Sequence, residues 1–167
     1  MSAATQMPAW RRVLACIAST PFGTWLGLHV IPPIDRRLLR WSGGRMKVAL
    51  GQNTCLVETV GARSGAARTT PLLYLEDGAR LVVIASMGGA PRHPDWYHNL
   101  RKTPRAIVTL KGRRDVYVAH EAEGAERARL WSMAVDYYPG YTVYEQRAGA
   151  RRIPVMVLSP ARVDPDV

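Results

Sequence analysis

A basic turn framed by glycines contains the first residues that could bind a ligand. Gly61–Arg68 has the sequence GARSGAAR and lies between two predicted strands. Its two arginines, its serine and its backbone N–H groups could bind one anionic group, which suits a phosphate or a carboxylate. A basic hairpin turn that is merely solvated would have the same composition. The spacing alone therefore permits an anion site without requiring one.

Two later segments could also contribute to a reaction. Ala85–Pro91 ends a predicted strand with Gly88 and Gly89, which let the chain either approach a flat ligand closely or simply turn. Tyr137–Tyr144 contains a group of phenols after a long predicted helix. A phenol near an acceptor could donate a proton, but buried aromatic packing explains the same cluster equally well.

The sequence lacks the residue motifs that metal-dependent and acyl-transfer catalysis require. Gly61–Gly65 has its serine in the fourth place, whereas a nucleophile elbow requires G-x-S-x-G. No P-loop and no G-x-G-x-x-G dinucleotide motif is present. His93 and His98 are one position too far apart to bind zinc from one face of a helix. We therefore expect no metal site.

Short strands and peripheral helices are expected to position these segments. Apolar and β-branched runs predict strands at Thr54–Val60, Thr69–Leu75, Leu81–Ser86, Ala106–Leu110, Asp115–His120 and Ile153–Leu158. Asp77-Gly78 predicts a hairpin, and Pro154 limits the last strand to an edge or a strand start. Helices are predicted over Pro94–Leu100 and Glu123–Tyr138. The pattern is typical of a mainly β protein, a small barrel of about six antiparallel strands with helices outside it.

Residues 1–50 differ from the rest and are expected to form a helical or amphipathic segment, ahead of one barrel domain at 51–167. Val13–Ile31 is mostly apolar and follows Arg11-Arg12, but Pro21, Gly23 and Gly27 interrupt it and disfavour a spanning helix. No convincing small-x-small cleavage site follows it, which disfavours a signal peptide. Two interpretations remain. Residues 1–33 either lie at a membrane surface, with aromatic side chains at the lipid boundary and arginines on acidic headgroups, or pack on the domain or a partner subunit.

The amino-acid composition limits the classes of molecule that the chain is expected to bind. Apolar residues make up 47% of the 167-residue chain and charged residues 22%, which is typical of a soluble globular protein. The net charge of +10 predicts an attraction for anions. Its arginine pairs are scattered, and no nucleic-acid-binding motif accompanies them, so we expect no nucleic-acid partner. Cys16 and Cys55 form no C-x-x-C pair, which favours two buried thiols in a reducing cytosol.

An ordered series of motifs extends from about Asn53 to Pro160. The series is T-x-G-x-x-S-G-x-x-R-x-x-P-L from Thr59, then A-S-x-G-G from Ala85, P-x-W-Y-x-N-L from Pro94, Y-P-x-Y-x-x-Y from Tyr138 and I-P-V-x-V-L from Ile153. It resembles the deazaflavin-dependent nitroreductase family, whose members use coenzyme F420 on a split β-barrel related to flavin mononucleotide-binding barrels. The order of the motifs is far more specific than any one of them.

The resemblance implies roles for matching residues. It implies contacts with the phosphate and polyglutamate tail of F420 from Ala62, Arg63, Ser64, Arg68, Thr69, Thr70, Pro71 and Leu72. It implies walls around the deazaflavin ring from Ile84, Ala85, Ser86 and Met87 and from Trp96, Tyr97, His98 and Asn99. Ser86, Tyr138 and Tyr141 are the candidate catalytic residues, one of which would help to protonate the reduced product.

Two positions depart from the family pattern. Arg63 stands where members often carry lysine, which keeps the charge. Met87 also stands where members often carry lysine, which removes a charge from the predicted tail contacts and bears on cofactor affinity and identity.

The resemblance implies an oxidoreductase that passes hydride from reduced F420 to a hydrophobic acceptor such as a quinone or nitroaromatic. Two alternatives stay open: a reductase of the same fold that uses flavin mononucleotide, and a non-catalytic, membrane-associated protein that binds a cofactor or lipophile. We expect a cytoplasmic protein, peripheral on the inner face of the cell membrane through residues 1–33. A homodimer also remains open.

Overall fold

A computed structural model of the chain describes residues 53–161. The predicted N-terminal segment, including Cys16, lies outside these residues. The strands are β1 (Thr54–Val60), β2 (Ala67–Asp77), β3 (Arg80–Ile84), β4 (Arg105–Leu110), β5 (Arg113–Glu121) and β6 (Val155–Pro160). The helices are α1 (Asp95–Lys102), α2 (Gly124–Tyr137) and α3 (Gly140–Ala148), and a 3₁₀ turn covers Met87–Gly89.

The strands form a closed barrel in the order β1-β2-β3-β6-β5-β4, with β4 returning to β1. Every neighbouring pair is antiparallel. The predicted class, a barrel of about six antiparallel strands with peripheral helices, is confirmed. Among the described helices, none has the length and apolar character needed to cross a membrane.

Several local predictions are also confirmed. β1 has its predicted bounds, and the β2–β3 hairpin turns at Gly78, whose φ of 64° suits glycine. β6 begins directly after Pro154, so that this residue costs the barrel no ladder hydrogen bond. β3 ends at Ile84, ahead of the predicted Ser86, because the backbone becomes helical at Ser86 and left-handed beyond it.

The sequence pattern did not predict α3. Pro139-Gly140 follows α2 and has the composition of a helix terminator. Pro139 instead has helical backbone angles and caps the start of a second helix, since proline is compatible with the first turn. Tyr141 and Tyr144 therefore lie on a helix, whereas Tyr138 is an extended residue between the two helices.

β3 and β6 are buried on both faces, because α2 and α3 pack on the outside of the barrel against these two strands. Leu81 and Val83 point into the barrel, where they join a core that includes Cys55. Val82 and Ile84 point outward and pack with residues of α2 and α3. The run LVVI is continuously apolar because both faces are covered. Full burial of each such side chain contributes about 1.5–3 kcal/mol.

Charged side chains hold α2 to the β2–β3 hairpin. Arg129 of α2 donates to both carboxylate oxygens of Asp77, at 2.8 and 2.9 Å, and Arg80 also pairs with Asp77. Arg80 reaches Glu126 at 2.8 Å, and His120 contacts the same carboxylate at 3.1 Å. The hydrogen bond from Arg129, followed by that from Arg80, lowers the pKa of Asp77 to about 2. The network covers one side of the helical layer.

Candidate functional site

The basic turn between β1 and β2 closes on itself. The Gly61 N–H donates to Ala66 O at 2.8 Å, and the Gly65 N–H donates to Gly61 O at 2.8 Å. A Cβ at position 61 would lie 2.8 Å from Ser64 Oγ and 3.1 Å from Ala66 O, so a larger residue there would crowd the turn. These bonds fix the backbone that carries Arg63 and Ser64.

Buried polar groups attach this turn to α1. Asn99 is 5% exposed, and its Oδ1 accepts the Ala62 N–H at 2.8 Å. Its Nδ2 donates to Thr59 Oγ1 at 2.9 Å, and Lys102 Nζ donates to Ala62 O at 2.6 Å. Because a buried amide that loses its partners costs free energy, this arrangement holds the turn in one position. Asn99 therefore orients the basic turn.

The turn presents positive charge that the described part of the chain does not neutralise. Arg63 and Arg68 are exposed, and neither forms an ion pair within residues 53–161. Ser64 lies between them and is also exposed. Guanidinium groups on a fixed backbone suit an anion with several oxygens, such as a phosphate or a carboxylate.

β2 continues from the turn with the next predicted contacts. Thr69, Thr70, Pro71 and Leu72 are half-buried on this strand. Leu72 packs against the barrel core, and Arg68 pairs with Thr59 in the β1–β2 register. Successive side chains along a strand point to opposite faces of the sheet. Thr69 and Pro71 therefore share the face opposite to Leu72.

The Met87–Gly89 turn has an unusual backbone. Met87, Gly88 and Gly89 have φ values of 49°, 65° and 80°. The left-handed region costs a residue with a side chain about 1 kcal/mol, so Met87 is strained. A Cβ on Gly89 would lie 2.6 Å from Arg147 Cβ and 2.7 Å from Tyr144 O, which shows that this turn packs directly on α3. The candidate residues Ser86 and Met87 thus lie beside the tyrosine-bearing helix.

The phenols differ in how their hydroxyls are used. The Tyr138 and Tyr144 hydroxyls lie 3.1 Å apart and share a hydrogen bond, whereas the Tyr141 hydroxyl has no hydrogen-bond partner within residues 53–161. The Tyr141 ring is buried and contacts Tyr138 edge-on at 5.2 Å between ring centroids. Burial raises the pKa of Tyr138 and of Tyr141 above the ordinary range. Both phenols are therefore protonated at neutral pH, and Tyr141 has the uncommitted donor.

The predicted ring contacts on α1 are mostly turned into the protein. Trp96 is 6% exposed and belongs to the barrel core. The Tyr97 hydroxyl donates to Glu121 Oε2 at 2.8 Å and accepts from Arg101 at 3.0 Å. With Asn99 attached to the basic turn, only His98 of this predicted set is exposed. The short helix buries one face against the barrel, and the motif's aromatic residues lie on that face.

The other residues that were predicted to line the deazaflavin ring differ in how deeply they are buried. Ile84 and Ala85 are buried, and Ile84 packs under α2 and α3, whereas Ser86 and Met87 are half-buried at the surface. No group of His, Cys, Asp or Glu able to hold a metal ion occurs within the described range.

Arg151 was not among the predicted site residues, because in the sequence it is only one member of the scattered arginine pairs. Arg151 precedes β6 and is half-buried. Its guanidinium contacts the backbone on both sides of the Met87–Gly89 turn. The only sequence signal was its place two positions before the motif that begins at Ile153, because the contacts join positions about sixty residues apart.

The sequence model of the F420H(2)-dependent quinone reductase family matches residues 35–160 of the chain. An F420H(2)-dependent quinone reductase of Mycobacterium tuberculosis (strain H37Rv) is 34% identical over 143 residues, which cover 81% of this chain and 95% of that protein.

Solved structures agree with these sequence matches. A structure described as an F420-H2-dependent reductase (FDR-A) is 36% identical, with a TM-score of 0.59, and covers 64% of this chain and 94% of that one. A second, described as a domain-swapped dimer, is 32% identical with a TM-score of 0.61, and covers 75% of this chain and 96% of that one. Both matches extend over nearly the whole length of the solved chains.

Proposed function

The chain belongs to the F420H(2)-dependent quinone reductase family, and from this premise we propose that it is an oxidoreductase that passes hydride from reduced F420 to a quinone. The family match over residues 35–160 carries this proposal. F420 is then the cofactor, and flavin mononucleotide is not needed to explain any feature of the chain. The family consists of reductases, which favours turnover over a purely binding role.

The donor groups of the basic turn fit the tail of F420. That tail carries a phosphodiester and carboxylates, and the turn offers two exposed arginines on a backbone fixed by Asn99. Arg63 and Arg68 would bind the tail, with Ser64 as a neutral hydrogen-bonding group between them. A charge-assisted hydrogen bond contributes about 1.5–3 kcal/mol, so loss of either arginine should be measurable in cofactor affinity.

The Met87–Gly89 turn and α3 supply groups for the reacting end. When bound, the reduced deazaflavin supplies the hydride. Reduction of a quinone also takes up protons, and Tyr141, a protonated phenol on the helix that packs against this turn, would be the donor. Ser86 would hydrogen-bond at the same place, while Tyr138, whose hydroxyl is shared with Tyr144, would hold the aromatic cluster in position.

The direct test uses purified full-length chain. F420 binding is followed by fluorescence, and oxidation of reduced F420 is then followed with menadione and with a nitroaromatic as acceptors. We expect tight F420 binding and turnover with menadione. Preferential binding of flavin mononucleotide would contradict the cofactor assignment. Tight F420 binding without turnover on a panel of quinones would instead favour the binding protein.

A peripheral membrane position on the cytoplasmic face is a separate proposal about residues 1–33. It rests on the apolar and aromatic residues of this segment and on its flanking arginines. A chain lacking residues 1–33 should lose co-sedimentation with liposomes that contain acidic lipids and should still bind F420. Equal co-sedimentation of both chains would contradict the proposal.

Homodimer formation is also proposed, on the ground that a 32% identical relative is described as a domain-swapped dimer. Light scattering during gel filtration of the full-length chain should give twice the monomer mass. A monomer mass at every concentration tested would contradict this proposal.

A further inference from the structure

The Met87–Gly89 turn has a strained backbone conformation that its own hydrogen bonds do not fully stabilise. Three successive residues have positive φ, and one of them is the non-glycine Met87. Within residues 53–161, two backbone hydrogen bonds close the turn, from the Gly89 N–H to Ser86 O at 3.0 Å and from the Ala90 N–H to Met87 O at 3.1 Å. A conformation of this kind persists when surrounding groups hold it in place.

Arg151 supplies such groups from the segment between α3 and β6. Its Nε donates to Ala90 O at 2.7 Å, and its Nη2 donates to Ser86 O at 2.8 Å. Its Nη1 donates to Ala85 O at 3.3 Å. The three carbonyl groups lie before and after the left-handed residues, so one rigid guanidinium spans the turn.

The Arg151 guanidinium has a fourth contact, made by Nη1 with His93, and this contact helps to orient it. Arg151 Nη1 lies 3.3 Å from His93 Nδ1, and the His93 ring packs against the Tyr97 ring at 4.9 Å between centroids. Burial and the nearby Arg151 charge lower the pKa of His93. A neutral His93 ring can accept a hydrogen bond at Nδ1, so the guanidinium has acceptors on every edge.

We propose that Arg151 is a positioning residue that holds the Ser86–Gly89 backbone in the conformation that meets the deazaflavin ring. The inference rests on the proposed F420-dependent function. A trans peptide places its C=O and N–H on opposite sides, so Arg151 on Ser86 O directs the Met87 N–H away from itself. The Met87 and Gly88 N–H groups have no hydrogen-bond partner within residues 53–161 and are left as donors for a ligand.

The first test needs no cofactor. In the full-length chain without F420, Arg151→Ala should raise amide hydrogen exchange at least tenfold at Gly89 and Ala90, whose N–H groups close the turn, and leave β1 unchanged. The matched control is Arg152→Ala, since Arg152 is the adjacent arginine and is exposed. Unchanged exchange at Gly89 and Ala90 in Arg151→Ala would overturn the proposal.

The second test measures F420 binding by fluorescence titration. Arg151→Ala should weaken binding about tenfold or more relative to Arg152→Ala, because several charge-assisted hydrogen bonds are lost. Guanidinium ion at a concentration too low to denature the protein should restore part of the affinity to Arg151→Ala but not to Arg68→Ala. Equal affinities of the Arg151 and Arg152 variants would overturn the role in binding.

Two further outcomes remain informative. If Arg151→Ala does not fold, Arg151→Lys keeps the charge but cannot span three carbonyl groups, and it should show the same local rise in exchange. Unchanged exchange in Arg151→Lys would overturn the proposal. If the wild-type chain does not bind F420, the proposed function fails, whereas the exchange experiment still decides whether Arg151 holds the turn.

Discussion

Arg68 is the residue that tests the anion site most directly, because it is exposed and has no ion pair within the described range. Arg68→Ala should weaken F420 binding by about 1.5–3 kcal/mol through the loss of charge-assisted contacts. Fluorescence titration at constant ionic strength measures this change. Arg113→Ala, at the exposed β4–β5 hairpin, removes one equal charge elsewhere and should have little effect. Equal losses in the two variants would indicate nonspecific attraction by the net charge.

Tyr141 and Tyr138 differ at the level of single hydroxyl groups. Tyr141→Phe removes the uncommitted donor and should lower kcat for quinone reduction by about 100-fold, with little change in F420 affinity. Tyr138→Phe removes a hydroxyl that is shared with Tyr144 and should have a smaller effect on kcat. Steady-state and binding measurements on both variants separate the roles. Equal kcat values in Tyr141→Phe and the wild type would exclude Tyr141 as proton donor.

The pH dependence follows from the raised pKa of Tyr141. A donor must be protonated, and the raised pKa keeps this phenol protonated beyond the ordinary tyrosine value of about 10. Activity should therefore not fall through deprotonation of Tyr141 as the pH rises from 7 to about 9. A decrease in wild-type kcat over that range that is absent in Tyr141→Phe would contradict this expectation.

At the scale of elements, Asp77 attaches α2 to the β2–β3 hairpin. Its pKa is lowered to about 2 in the folded chain, against an ordinary value of 3.8. The stabilisation is therefore present above about pH 4 and is lost as the pH falls toward 2. Asp77→Asn should lower the free energy of unfolding at pH 7 by about 1 kcal/mol and reduce its decline with acid.

Urea unfolding at pH 7, 4 and 3, followed by circular dichroism, measures this effect. Asp136→Asn is the matched control, because Asp136 is exposed on α2 and forms no ion pair within the described residues. Parallel pH profiles for Asp77→Asn and the wild type would show that the network contributes nothing.

The strands and helices show which sequence patterns predict secondary structure correctly and which do not. The apolar runs of β3 and β6 predict buried strands because each residue contributes to one of two covered faces. Pro139-Gly140 misleads because proline can end one helix and begin another, and only tertiary packing decides between these. The boundary of each strand depends on its partner, which explains why β2 and β5 are longer than predicted.

For the whole molecule, the family's motifs predict which segments meet but not how each side chain is used. The basic turn and the Tyr141 helix are both in the motif series. The motifs do not reveal that Asn99 and Tyr97 bond inside the protein, nor that Arg151 reaches Ser86 O across 65 positions. Such contacts depend on the closed barrel, which brings distant segments together after the strands have paired.

The closed barrel also encloses a thiol that could report when the molecule opens. Cys55 is 1% exposed, and burial raises its pKa to about 12, so this residue presents almost no reactive thiolate while the barrel is folded. In a Cys16→Ser variant, alkylation of Cys55 should require transient opening of the sheet, and its rate should rise steeply with urea. A ligand that binds only the closed state should slow the alkylation in proportion to its occupancy. F420 should therefore protect this thiol without touching it, whereas rapid alkylation that is insensitive to urea would show that the barrel admits the reagent while folded.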